Sequence, residues 1–166
     1  GERAAYLKMR RAVAGLSDED EAETDADAEE EGIEDAALGQ ERYVAMSEAE
    51  DLLLTITEKG AGKLSSSHDY PLRGRGGQGV MAMDRAMRAG PLAALFPVTM
   101  DDQIMLATDA GQSIRVPVAG ISFRSRTAGG VRVFNTSAGE RVVSVALIAE
   151  AADEEPDPEP DGETDT

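Results

Sequence analysis

The sequence predicts an all-β chain, two tandem four-stranded units of a propeller-like array, with a helix in front and acidic segments that stay disordered. Three observations carry that expectation. The β-rich runs Leu52 to Thr57 (LLLTIT) and Ile104 to Thr108 (IMLAT) each close on a turn that ends in glycine, Gly60 and Gly111, 51 residues apart. The stretch Leu72 to Val80 (LRGRGGQGV) returns at the same offset as Phe123 to Val131 (FRSRTAGGV). After each copy comes another strand-like run, Leu92 to Val98 and Arg141 to Ile148. About four short strands in each of two ~50-residue copies is a propeller-type signature, because one such unit cannot bury its apolar faces alone. Roughly three units are needed for independent stability, so further units are expected upstream of Gly1.

The elements divide the chain into five parts. Residues 1–16 form a helix of a larger domain or an insertion between units: Glu2 to Ala14 is rich in helix formers, Tyr6, Met9, Val13 and Leu16 recur at helical spacing, and Gly15 fits a C-cap. Its expected place is against a neighbouring domain. Residues 17–40 read as a disordered acidic linker, with too little apolar surface to offset the entropy of folding. Residues 41–98 hold the first unit, entered through one or two helical turns around Tyr43 and Met46, and 99–149 hold the second. Residues 150–166 (EAADEEPDPEPDGETDT) read as a disordered acidic tail, a solubilising end or an intramolecular mimic of a polyanion.

Charge is partitioned rather than spread. The net charge is −17, but Asp18 to Asp35 holds 12 acids and Glu150 to Asp165 another 9. Between Asp51 and Ile148 there are 11 Lys/Arg against 8 Asp/Glu, so the part that folds is mildly basic. No cysteine is present, which excludes disulfides and thiolate metal sites and suits a cytoplasmic location. No apolar run reaches the ~18 to 20 residues of a membrane span, so no membrane partner is expected.

Gly74 to Gly79 (GRGGQG) formally satisfies G-x-G-x-x-G, but the dinucleotide fingerprint needs a strand before and a helix after, and neither is present. The second copy drops glycines and keeps arginines, the reverse of what a pyrophosphate cradle requires. Ser67, His68 and Asp69 are adjacent in sequence, whereas a triad is assembled in space; His68, the one histidine, reads as a loop residue. No catalytic residue and no metal site is expected, and no cofactor for this chain.

The arginines remain. Arg73 and Arg75, like Arg124 and Arg126, stand at i and i+2, which in extended chain turns both to one face. With Lys59, Lys63, Arg115 and Arg132 they would make a basic track suited to the phosphate backbone of a nucleic acid, while Gly60, Gly76, Gly77, Gly79, Gly111 and Gly130 supply the turns. The plainer reading is a solvated rim or ion pairs with a neighbouring unit.

The order LLLTITEKGAGKLSSSHDYPLRGRGGQGV, then GPLAALFPVTMDDQIMLATDAGQSIRVPVAGISFRSRTAGGVRVF, then GERVVSVALIAE and an acidic tail resembles the last two blades of the C-terminal domain of the bacterial DNA gyrase A protein. The resemblance covers about Glu41 to Glu150. It implies a partial β-pinwheel whose basic perimeter binds and wraps DNA in a type II topoisomerase, supporting ATP-dependent negative supercoiling. ATP and magnesium would act elsewhere in the holoenzyme, whose other members would be a gyrase B-type subunit and a further A-type copy. The family's basic box is only partly matched, with Gly74 and Gln78 at positions where it has basic residues. The alternatives are the C-terminal domain of the A-type chain of topoisomerase IV, a propeller-type protein-interaction module and, furthest off, a nicotinamide-dependent enzyme.

Overall fold

A computed structural model describes residues 1–15, 38–86 and 88–148. Two helices, α1 (Glu2–Val13) and α2 (Gln40–Glu48), precede seven strands: β1 (Leu52–Thr57), β2 (Ala61–Ser66), β3 (Leu92–Val98), β4 (Gln103–Thr108), β5 (Ser113–Pro117), β6 (Val131–Arg132) and β7 (Val142–Ile148). Residues 16–37 and all of the acidic tail lie outside the described residues, while Gln40, the last residue of the expected 17–40 linker, opens α2.

The internal repeat is a repeat of geometry. β1 and β2 pair antiparallel with Leu52 opposite Ser66, and β4 and β5 do so with Gln103 opposite Pro117. Both hairpin turns are locked by a threonine. The Thr57 hydroxyl accepts from the Ala61 amide at 3.1 Å, and the Thr108 hydroxyl from the Gln112 amide at 3.2 Å. Gly60 and Gly111 occupy the left-handed region there, φ 81° and 83°, where a β-carbon would be strained. On the far side β3 joins β1 and β7 joins β4, each with a bulge at the same place, between Ile56 and Thr57 and between Ala107 and Thr108.

The strands do not divide four and four. The first sheet has the order β3-β1-β2-β6, the second β5-β4-β7. β6 belongs to the second repeat by sequence but pairs with the first, Ala61 opposite Arg132 and Gly62 opposite Val131. A boundary between residues 98 and 99 therefore cuts through the first sheet. The exchange is possible because two glycines meet: a β-carbon on Gly130 would stand 2.7 Å from the Gly62 nitrogen. β3 and β7 pack on each other, while β6 and β5 form the opposite margins of their sheets.

One apolar cluster serves both sheets. Leu54, Ile56, Leu64 and Val98 pack with Ile104, Leu106, Val118, Ile121, Phe134 and Val142. A second, small cluster of Tyr6, Leu7 and Met46 joins α1 to α2, with the Tyr6 and Tyr43 rings 5.2 Å apart and Arg10 paired to Glu50 at 3.0 Å. The helix thus docks on its own chain. The expected apolar stripe narrows along it: Tyr6 is buried, while Val13 is 73% exposed. Gly15 has φ 73° and its amide bonds to the Ala12 carbonyl, as a C-terminal glycine should. Among the described residues no helix is long and apolar enough to cross a membrane.

Candidate nucleic-acid interface

The two arginine stretches occupy different environments. In the first repeat every residue from Pro71 to Gly79 is exposed, Leu72 by 87%, and Gly76 and Gly79 turn the chain at φ 82° and 84°. Arg73 and Arg75 are therefore presented to solvent on a loop without an acid. Gly77 is not in the left-handed region, so its expected turn role is not what the backbone requires of it.

In the second repeat the equivalent stretch is laid along the first sheet. Leu64 and Phe123 form a parallel bridge, the Leu64 amide bonds to the Ser122 carbonyl at 2.9 Å, and the Arg124 amide to the Leu64 carbonyl at 2.7 Å. Arg124 is half-buried there. Arg126 is half-buried and engaged: its amide donates to the Asp69 carboxylate at 2.6 Å, its Nε to the Asp69 carbonyl at 3.0 Å, and its Nη1 to the Met81 carbonyl at 2.6 Å. The guanidinium also lies 6.0 Å from the Tyr70 ring centre. The repeated arginines are thus repeated in sequence and not in exposure. Gly130, expected as a turn, serves instead as the point of close approach to Gly62.

Lys63 departs furthest from expectation. It is fully buried in β2, and its Nζ donates to the carbonyls of Ser125, at 2.7 Å, Arg126 and Ala128, at 2.8 Å. Burial pulls its pKa down to about 7, the nearby Asp69 working against that shift and Arg126 with it. An ammonium carries three N–H bonds, one for each carbonyl. Lys63 is consequently a clamp on the 125–128 loop and no part of a solvent-facing track. Of the remaining cations, Lys59, Arg115 and Arg132 are exposed.

Ser67, His68 and Asp69 do not form a triad. The Ser67 hydroxyl accepts from the Asp51 amide at 3.0 Å, and Asp69 holds Arg126. His68 Nε2 lies 2.8 Å from the Met46 carbonyl, and its ring stands edge-on to Tyr6 at 5.0 Å. What reads in sequence as a loop histidine is a tie between the helices and the first sheet. No group of three metal-ligating side chains occurs among the described residues.

The sequence profile described as "DNA gyrase C-terminal domain, beta-propeller" matches residues 51–90 and 102–149, more than half of the chain. The chain belongs to this gyrase C-terminal domain family. It is 44% identical over 155 residues to the DNA gyrase A protein of Granulibacter bethesdensis, covering 90% of this chain and 16% of that protein. With the gyrase A protein of Rickettsia conorii the identity is 42% over 116 residues, covering 70% and 13%. The chain thus spans about a sixth or less of the length of these relatives. Among solved structures, a DNA gyrase A C-terminal domain superposes with a TM-score of 0.55 at 24% identity, covering 60% of this chain and 34% of that one. The C-terminal domain of a DNA topoisomerase IV gives 0.54 at 23% identity, covering 60% and 31%. These two structural likenesses bear on the fold alone.

Proposed function

We propose that this chain binds double-stranded DNA through its backbone phosphates and forms part of the DNA-wrapping region of a gyrase A-type protein. The observation that carries the reading is the Leu72–Val80 loop. It holds two arginines and four glycines, lacks any acid, and is exposed as far as Gly79 in a chain of the gyrase C-terminal domain family. Contacts of this kind depend on charge and close backbone approach, not on base edges, so binding is largely independent of sequence and weakens steeply with salt. Bending a duplex along a protein costs a few kcal/mol per ~20 to 30 base pairs, which several phosphate contacts must offset. Wrapping in turn would support ATP-dependent supercoiling by a holoenzyme that includes a B-type subunit and a further A-type copy. ATP and magnesium would be used there, outside this chain, in the cytoplasm.

The test is a titration of duplex DNA at several salt concentrations. Replacing Arg73 and Arg75 by Gln should lower the log-log salt slope by about 0.9 for each phosphate no longer neutralised. Salt-insensitive binding, or none, would favour a protein-interaction module. The two structural likenesses are too similar to separate gyrase from topoisomerase IV, but both sequence relatives above are gyrase A proteins, which favours gyrase.

A further inference from the structure

The hairpin turn of the first repeat, the loop before β3 and the chain following β6 enclose a cleft of about 410 Å³. Lys59, Ala89, Gly130, Arg132, Asn135 and Thr136 line it, and among the described residues no carboxylate does. Its two cations come from different repeats. Neither has an ion-pair partner among the described residues, and the one hydrogen bond of the Arg132 guanidinium there is a long contact of 3.4 Å to Asn135 Oδ1. The lysine is placed by packing: its stem crosses Gly90, where a β-carbon would stand 3.2 Å from Lys59 Cγ. Thr136 ties the far wall to the same turn, its hydroxyl 3.4 Å from the Lys59 carbonyl.

Two cations with uncommitted donors, beside an amide and a hydroxyl, suit an oxyanion with several acceptor oxygens. The planar guanidinium binds such a group as a fork and the ammonium as a point charge. The cleft lies beside β6, the margin of the first sheet opposite the face where β3 meets β7, so a large polyanion can reach it. At the 51-residue offset Lys59 corresponds to Ala110 and Arg132 to Met81, so the repeat itself does not generate this pair of charges.

We propose that this cleft is a phosphate seat, and that its occupant is a single backbone phosphate of the DNA, held jointly by Lys59 of the first repeat and Arg132 of the second. The proposal rests on the DNA-binding reading above and adds a site to the Arg73 and Arg75 loop. Because β6 pairs with β2, both cations belong to the first sheet and its hairpin turn, and a phosphate held there would tie the exchanged strand to the hairpin that receives it.

The full chain and its Lys59→Gln, Arg132→Gln and double variants are titrated with duplex DNA across a salt series, with Arg85→Gln as an exposed charge-loss reference. If one phosphate is shared, either single substitution removes about 0.9 from the log-log slope and the double variant removes little more. Additive losses, or losses equal to that of Arg85→Gln, overturn the shared seat. In parallel, the Gly130, Asn135 and Thr136 amides are followed by NMR with the duplex and with inorganic phosphate. Shifts with the duplex support the proposal; shifts with inorganic phosphate but not the duplex overturn DNA as the source. If the cleft variants bind DNA like the parent while the Arg73 and Arg75 variant does not, the seat fails and the functional reading stands. If the parent chain binds no duplex, that reading and DNA as the occupant fail together, and the inorganic phosphate titration decides whether the cleft holds phosphate at all.

Discussion

At Lys63 one side chain decides how the second repeat is presented. Replacing it with Met leaves three carbonyls of the 125–128 loop without their donor, and a destabilisation of about 2 kcal/mol is expected. Hydrogen exchange should rise across residues 124–130 while the β1–β2 hairpin stays protected; unchanged protection of the loop would contradict the clamp. The same group makes a pH prediction. Its folded pKa is lowered from 10.5 to about 7, so between those values the unfolded chain holds a proton that the folded chain has released. Stability should therefore rise with pH from about 7 towards 10.5 by up to ~1.4 kcal/mol per unit, and this contribution is flat below 7. Denaturant titrations at pH 7 and 9 should show the slope in the parent and a smaller one in Lys63→Met. From sequence Lys63 reads as a rim cation, because charge reports nothing about burial. Its counterpart at the 51-residue offset, Ile114, is apolar but 36% exposed, so the repeat carries no sign of burial at this position.

For the elements, the contact between β2 and β6 is set by what Gly62 and Gly130 lack. An alanine at 130 would press its β-carbon on the Gly62 backbone, which cannot move aside as a flexible side chain could. Gly130→Ala should lower stability by about 1–3 kcal/mol and loosen β6 selectively. Its counterpart Gly79 has open space around it and φ 84°, so Gly79→Ala should cost only about 1–2 kcal/mol, from backbone strain alone. Thermal unfolding of the two variants tests the contrast, and a milder effect at 130 than at 79 would count against the close approach. The strands themselves were legible, since LLLTIT and IMLAT carry β-branched and apolar runs closed by glycine turns. The partner of β6 was not, because a Gly-Val pair repeated in two copies indicates a common role without naming the sheet that receives it. The arginine pairs misled for a related reason: alternation assigns a face, but whether water or another repeat covers that face is settled by packing.

In the whole molecule, the two sheets share one core and one exchanged strand, so they should unfold together. The described fold without its acidic segments should show a single cooperative transition. A chain ending at Val98 loses β6 together with Ile104, Leu106, Val118, Ile121, Phe134 and Val142, and should show no cooperative thermal transition by circular dichroism. A sharp transition in that fragment would mean that the first sheet is self-sufficient. The repeat architecture was visible in sequence because its spacing is regular, whereas the domain boundary was not, because composition does not change where one sheet borrows from the next repeat. The borrowing also has a consequence in time. Ala61 is paired by Arg132, 71 residues later in the chain. At the ~5–20 residues per second of protein synthesis, β2 leaves the ribosome on the order of several seconds before the strand that covers it. During that interval its outer edge is an open template for other strands. Chaperone demand should therefore fall on the nascent first repeat, and a pause in translation between the two repeats should lengthen its exposure.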